Sequence, residues 1–186
     1  MIKFIKTRDV KNPVRNPLEN AGIDFYVPEN TEDFRQALVA KNAGLVEAES
    51  ITFGTADAIA NNKNILTKNG EIHIAPHCAI IIPTGIKSKF EPNLALIANN
   101  KSGIATKKQL IFGASVIDAS YQGEWHINLI NTSNNYQVIE CGQKAVQFIP
   151  HYISIEPIEV EDKNEEEFFT EKTSRGEGWQ GSTGLK

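Results

Sequence analysis

The chain of 186 residues has little cysteine, methionine or tryptophan: two Cys, one Met and two Trp. Cys78 and Cys141 stand far apart, each beside apolar residues or a turn. They form neither a disulfide framework nor the close pairs that ligate zinc, so both read as reduced, structural thiols. An excess of basic charge is also missing. Lys and Arg total 19 against 23 Asp and Glu, for a net charge of -4 and a pI near 5.6. That balance excludes broad binding to nucleic acid, which needs a basic face, but not a small anionic ligand, for which a few local cations suffice. No apolar run reaches the length of a membrane span, and the opening MIKFIKTRDV lacks the apolar core of a secretory signal. The expectation is a cytoplasmic protein with no membrane partner. Its Lys-, Asn- and Ile-rich composition suits an A·T-rich phage or bacterial genome; for a phage-encoded protein the expected location is the host cytoplasm. No internal repeat is evident.

What is present is a core-forming share of hydrophobic residues, 40%, on a length that fits one domain. Most of it has the texture of β-structure. Residues 2–5, 21–28, 94–99, 109–117, 124–131, 136–140, 144–150 and 152–160 each read as a strand, and 71–90 reads as two, punctuated by Pro76 and by Pro83-Thr84-Gly85. In 124–131, Trp125, Ile127 and Leu129 alternate with His126, Asn128 and Ile130, so one face is apolar. Short strands at regular spacing, separated by Gly, Pro and Asn turns, indicate an all-β sandwich, barrel or jelly roll.

Two stretches break the pattern. Thr31 is placed to cap a helix with Glu32 and Asp33 in its first turn, Phe34, Ala37 and Leu38 on one face and Gly44 as a stop. Residues 30–69 read as an insertion between strands, mounted on the surface. From 161 the chain becomes acidic, EDKNEEEFF, and ends in RGEGWQGSTGLK. The domain boundaries expected are a single β domain over 1–160, with the insertion, and a linker with a C-terminal arm over 161–186.

Four segments carry chemistry. In 116–125, VIDASYQGEW, Asp118 sits at a strand end facing a turn, where a carboxylate is held rigidly and reaches solvent. That suits a general base acting on water, although an ordinary turn Asp has the same surroundings. Tyr121 brings a ring near the same space, and the small residues Gly113, Ala114 and Ser115 let a ligand approach the main chain. In 98–108, Lys101, Ser102 and Gly103 offer a cation, a hydroxyl and an unobstructed backbone to phosphate oxygens, or simply a solvated turn. In 142–150, Gln147 projects opposite Val146 and Phe148 and needs a partner if buried. In the tail, Arg175 offers a planar fork to phosphate, four glycines let the chain wrap a ligand, and Ser182 and Thr183 add hydroxyls.

Taken in order, AGID (21–24), KSGIA (101–105), FGASVIDASYQGE (112–124), GQKAVQ (142–147) and RGEGWQGSTG (175–184) resemble the five motifs of the trimeric dUTPase family; PTGI (83–86) also fits. The resemblance covers roughly 1–28 and 71–186. It implies a distorted β jelly roll, a homotrimer whose active sites draw on all three subunits, and hydrolysis of dUTP to dUMP and pyrophosphate. It further implies Asp118 as the base that activates water and Tyr121 as the ring that packs on deoxyribose. The main chain of 112–117, with Ala114, Val116 and Ile117, would read uracil. Lys101, Ser102, Gly103 and Gln147 would contact phosphates, and Asp24 would support them. Arg175, Gly181, Ser182 and Thr183 would belong to the arm that grips the β- and γ-phosphates. Mg2+ is the implied cofactor, held mainly by the triphosphate and not by a protein metal cluster.

The chain departs from the family pattern in three motifs. Lys101 replaces an Arg and loses its bidentate fork. Gln143-Lys144 replaces an acid and an Arg, so weaker hydrogen bonds are expected in place of a local ion pair. Gln180 stands where the family has a uracil-stacking Phe; either Trp179, which precedes it, takes over the stacking with a shifted backbone, or the base is covered less well. Two other readings stay open: a dCTP deaminase-type enzyme on the same fold, with Glu124 as the nearest candidate acid, and a dual-role protein that binds a protein partner through 30–69.

Overall fold

The computed structural model describes residues 1–52, 55–171 and 173. Among these, β1 (Lys3–Lys6), β2 (Ile23–Tyr26), α1 (Glu32–Lys41), β3 (Val46–Ala48), α2 (Ala56–Ala60) and β4 (Ile65–Thr67) precede β5 (Glu71–Ile74), β6 (Ala79–Pro83), β7 (Ile86–Lys89) and β8 (Leu94–Asn99). Then come α3 (Ser102–Lys108), β9 (Leu110–Phe112), β10 (Val116–Asp118), β11 (His126–Asn131), β12 (Gln137–Glu140), β13 (Lys144–Tyr152) and α4 (Glu165–Phe168). The chain divides into two units, Met1–Ile155 and Glu156–Lys186. In the second, Asn164 caps α4 by accepting from the Glu167 N–H at 2.9 Å, and Phe168 meets Phe169 edge to face.

The first unit is a distorted β jelly roll. Its sheets have the strand orders β10-β8-β13-β2, β12-β5-β4-β3, β6-β11-β9 and β1-β7. The alternation read in 124–131 is the reason: Trp125 and Ile127 are fully buried, and Leu129 nearly so. Trp125 stacks on Phe25 (centroids 5.1 Å apart, 12° between planes) and meets Phe4 and Phe148 edge-on at 5.7 and 4.9 Å. Rings in such contacts add about 0.5–1.5 kcal/mol each beyond the area they bury.

The stretch 30–69 is built into the core, against the expectation of a surface mount. Thr31 caps α1 as anticipated, its Oγ1 accepting from the Phe34 N–H at 3.3 Å. Phe34 and Leu38 are fully buried, each contributing about 1.5–3 kcal/mol by removal from water. Ile65 and Leu66 on β4 are also fully buried, between β3 and β5. At the end of α1, Asn42 accepts from the Ile81 N–H at 2.8 Å and donates to the Ile81 carbonyl at 2.8 Å. One amide thereby satisfies both main-chain groups of a residue on the edge strand β6, which would otherwise be open to pairing with another chain.

Three further segments differ from their sequence reading. The run 71–90 holds three strands. The run 109–117 is broken into β9 and β10, which belong to different sheets. The strand expected over 152–160 is absent: β13 ends at Tyr152, and Ile155, Ile158 and Val160 are exposed.

Candidate active site

Asp24 on β2 is the hub of a cluster of charged groups. Lys101 donates to its Oδ1 at 2.6 Å, and Lys144 on β13 lies 2.9 Å from its Oδ2. Burial favours the neutral acid, but the hydrogen bonds and charges of Lys101 and Lys144 outweigh it and hold the Asp24 carboxyl below the ordinary aspartate value. The Lys144 ammonium is raised in turn, chiefly by its hydrogen bond to Asp24. Lys144 therefore keeps an ion pair where only weaker hydrogen bonds were expected. Sequence reasoning missed it because the pair depends on the β2–β13 register, in which Asp24 faces Gln147.

The two ammonium groups border a cleft of about 290 Å³ lined by Lys101, Ser102, Gly103, Ile104, Lys144 and Gln147. Lys101, Ser102 and Gly103, read as a turn, form the cap and first turn of α3, whose leading N–H groups have no intrahelical partner. The helix ends at Gln109 in the left-handed conformation, φ 50°. Gln147 does project opposite the buried Val146 and Phe148, as expected, and donates to the Asn100 carbonyl at 3.0 Å. Its position requires Gly22: a Cβ there would lie 2.7 Å from the Gln147 Oε1. The glycine of AGID thus makes room for the glutamine of GQKAVQ. Two cations on one acid, an amide and main-chain donors are groups of the kind that can bind an oxyanion.

Asp118 ends β10 and is exposed, with its carbonyl accepting from the Tyr121 N–H at 3.1 Å. The Tyr121 hydroxyl donates to the Glu124 carbonyl at 2.9 Å, and the ring lies over Gly123, where a Cβ would come within 2.4 Å of it. The Glu124 side chain is fully engaged. Arg8 grips it bidentately, at 3.0 Å from Nε and 2.8 Å from Nη2, and the Gly85 N–H donates to it at 2.6 Å. Burial works to raise the Glu124 pKa, but Arg8 and the Gly85 N–H hold it below the ordinary glutamate value.

Asp118 and the cleft share the outer face of one sheet but not one place on it. Asp118 is paired with Ala95, whereas Gln147 is paired with Asn99 and, across β2, with Asp24. At about 3.4 Å per residue along a strand and about 4.8 Å between strands, the Cα atoms of Asp118 and Gln147 are roughly 17 Å apart. Between them the face carries an apolar rung, Val116, Ile97 and Ile149, of which Val116 is 57% exposed. The predicted residues Arg175, Trp179, Gly181, Ser182 and Thr183 lie outside the described residues. Among the described residues no group of three or more His, Cys, Asp or Glu side chains could hold a metal ion.

The first unit is thus a jelly roll with a lysine-bordered cleft at one corner of a sheet and an exposed carboxylate at another. The dUTPase family model matches residues 66–184, and the chain belongs to that family. It is 34% identical over 116 residues to the deoxyuridine 5'-triphosphate nucleotidohydrolase of Legionella pneumophila (strain Paris), covering 61% of this chain and 72% of the relative. It is 28% identical over 156 residues to that of Debaryomyces hansenii, covering 84% and 90%. The fold is similar to the Staphylococcus bacteriophage 80alpha dUTPase with dUPNHPP, with a TM-score of 0.67, 16% identity and coverage of 100% and 99%. The family match begins at Leu66, inside the stretch first assigned to the insertion.

Proposed function

We propose that the protein is a dUTP diphosphatase, hydrolysing dUTP to dUMP and pyrophosphate. The observation that carries this reading is the cleft where Lys101 and Lys144 flank Asp24 beside Ser102, Gly103 and Gln147. An arriving triphosphate meets two ammonium groups already held in position, so little is lost in ordering them. Gln147 and the first turn of α3 bind phosphate oxygens. Tyr121, fixed over Gly123, packs on the deoxyribose and sterically excludes a 2'-hydroxyl. Within 112–117, the main chain on the outer side of the edge strand β10 reads the uracil edge, since the N–H groups of Phe112, Gly113 and Ala114 are already held by Asn100 and Asn128. Asp118 takes a proton from water, whose oxygen attacks the α-phosphorus while the bond to the bridging oxygen breaks and pyrophosphate leaves. Arg175, Ser182 and Thr183 grip the outer phosphates, and Trp179 with Gly181 covers the base.

The cleft residues suit phosphate oxygens, and the neighbouring acid, Asp24, is engaged by two of them, Lys101 and Lys144. Mg2+ would be held mainly by the triphosphate itself and would supply neutralisation of phosphate charge. The separation of Asp118 from the cleft supports a site shared between copies: one subunit contributes the cleft, and another contributes Asp118 and Tyr121. A closed homotrimer supplies three equal sites in this way, and the apolar rung at Val116, Ile97 and Ile149 gives the copies a surface to bury. The deaminase alternative loses its candidate acid, because Glu124 is bound by Arg8 and the Gly85 N–H.

The test is pyrophosphate release from dUTP, UTP, dCTP and dTTP, each with and without Mg2+. Turnover of dUTP with Mg2+, well above the other three, is expected. Release of ammonia from dCTP, or no turnover of dUTP, overturns the reading.

A further inference from the structure

The chain changes sheets within three residues, 113–115, between β9, which pairs with β11, and β10, which pairs with β8. Four hydrogen bonds hold this crossing. The Phe112 N–H donates to Asn100 Oδ1 at 2.8 Å, and the Ser115 carbonyl accepts from the Ala98 N–H at 2.7 Å. The other two go to Asn128 on β11. The Gly113 N–H donates to its carbonyl at 2.9 Å, and the Ala114 N–H donates to its side-chain Oδ1 at 3.2 Å. The Asn128 amide is oriented from behind, with Nδ2 3.4 Å from the Ile80 carbonyl, so Oδ1 faces the crossing.

Asparagine is disfavoured inside strands, and Asn128 sits within β11, half-buried and paired with Ile81. Its side chain fits only because residue 113 has none. A Cβ on Gly113 would lie 1.7 Å from Asn128 Oδ1 and 2.8 Å from its Cγ. The two residues are therefore matched, and together they determine where the main chain of 114–116 runs.

We infer that Asn128 is a positioning residue that sets the base-reading main chain and so the preference for uracil over cytosine. The inference rests on the dUTP diphosphatase reading above. Asn128 touches no reacting atom; by holding the Gly113 and Ala114 N–H groups it fixes the direction in which the main-chain groups of β10, just beyond the crossing, point. A base edge is told apart by its order of donors and acceptors, so a small shift of that main chain weakens binding of the right base most and narrows its advantage over the wrong one.

The experiment compares the parent with Asn128→Ala, Gly113→Ala and the double variant, as full-length protein, by steady-state kinetics with dUTP and dCTP. For Asn128→Ala, release of the Ala114 N–H lets the base-reading main chain shift, and a KM for dUTP raised about five- to tenfold is expected, with a similar loss of dUTP-over-dCTP discrimination. The kcat and its pH profile stay near the parent's. Gly113→Ala produces the same split by displacing the amide. In the double variant the new methyl meets no amide, so its effect is no larger than that of either single change. Unchanged KM and discrimination in an active parent background overturn the inference alone. So does an equal loss of turnover for both nucleotides together with lowered thermal stability in both single variants, which is the mark of a merely structural pair. A parent that turns over no dUTP overturns the diphosphatase reading itself.

Discussion

Asp118 and Gln147 look out from the same face of one sheet, paired four residues apart along β8, at Ala95 and Asn99. Their Cα atoms are roughly 17 Å apart with an apolar rung between them, which favours the proposed site shared between copies over one within a single copy. This leads to a mixing prediction. Asp118→Asn and Gln147→Ala are each expected to be nearly inactive alone. Co-refolded in equal amounts, they recover a fraction of parental turnover, because some sites combine an intact Asp118 with an intact cleft. Recovery is read by pyrophosphate release, and no recovery in mixed assemblies contradicts a shared site.

The Lys144–Asp24 pair predicts a binding defect. Lys144→Ala removes one of two cations at the cleft and is expected to raise the KM for dUTP about tenfold, with a smaller change in kcat, as befits one charge-assisted contact. Lys144→Arg keeps the charge and stays within a few-fold of the parent. Steady-state kinetics at two ionic strengths checks this, since the parent should lose more affinity with salt than the Ala variant.

The Arg8–Glu124 pair predicts a pH dependence of stability. Glu124 has its folded-state pKa lowered, so the unfolded chain binds the proton more readily. Its contribution is complete above the ordinary glutamate value, about 4.3, and is lost as pH falls from there through the lower folded value. Glu124→Gln leaves the largely buried Arg8 with Asp33 as its remaining carboxylate partner and should cost about 1.5–3 kcal/mol near neutral pH, the worth of a hydrogen bond to a charged group. It should also remove part of the acid dependence. Denaturant melts over a pH series measure both effects.

The insertion predicts a loss of fold, not a detachable module. Phe34→Ala should cost about 3–5 kcal/mol in chemical denaturation, because a fully buried ring leaves a cavity. Deleting 30–69 removes α1 and both β3 and β4, with Ile65 and Leu66, leaving only β12 and β5 of that sheet, and soluble, folded protein is not expected from that deletion. A stable, active deletion variant would contradict this.

Local chemistry was legible in the sequence, and long-range geometry was not. The period-two alternation at Trp125, Ile127 and Leu129 and the cap at Thr31 reflect forces that act within a few residues, and both were found. The break at 113–115 is imposed by Asn100 and Asn128 from other segments, so periodicity alone joined β9 to β10. The segment 152–160 has a strand's alternation, but an apolar pattern does not specify a partner, and β13 stops at Tyr152. Of the site, Asp24, Lys101, Ser102, Gly103 and Gln147 were named from motifs and meet at one corner. Lys144 and Asn128 were not identified as site residues, since their importance lies in register and in a missing Cβ.

The account depends most on the Asp118 carboxylate. Asp118→Asn conserves size and leaves the fold and assembly in place, but it cannot accept a proton from water. Pyrophosphate release from dUTP by this variant, measured with Mg2+ and beside a check of oligomeric mass, should fall by a factor of about 100 or more, the share a general base contributes. Turnover at the parental rate in an intact assembly would contradict the assignment.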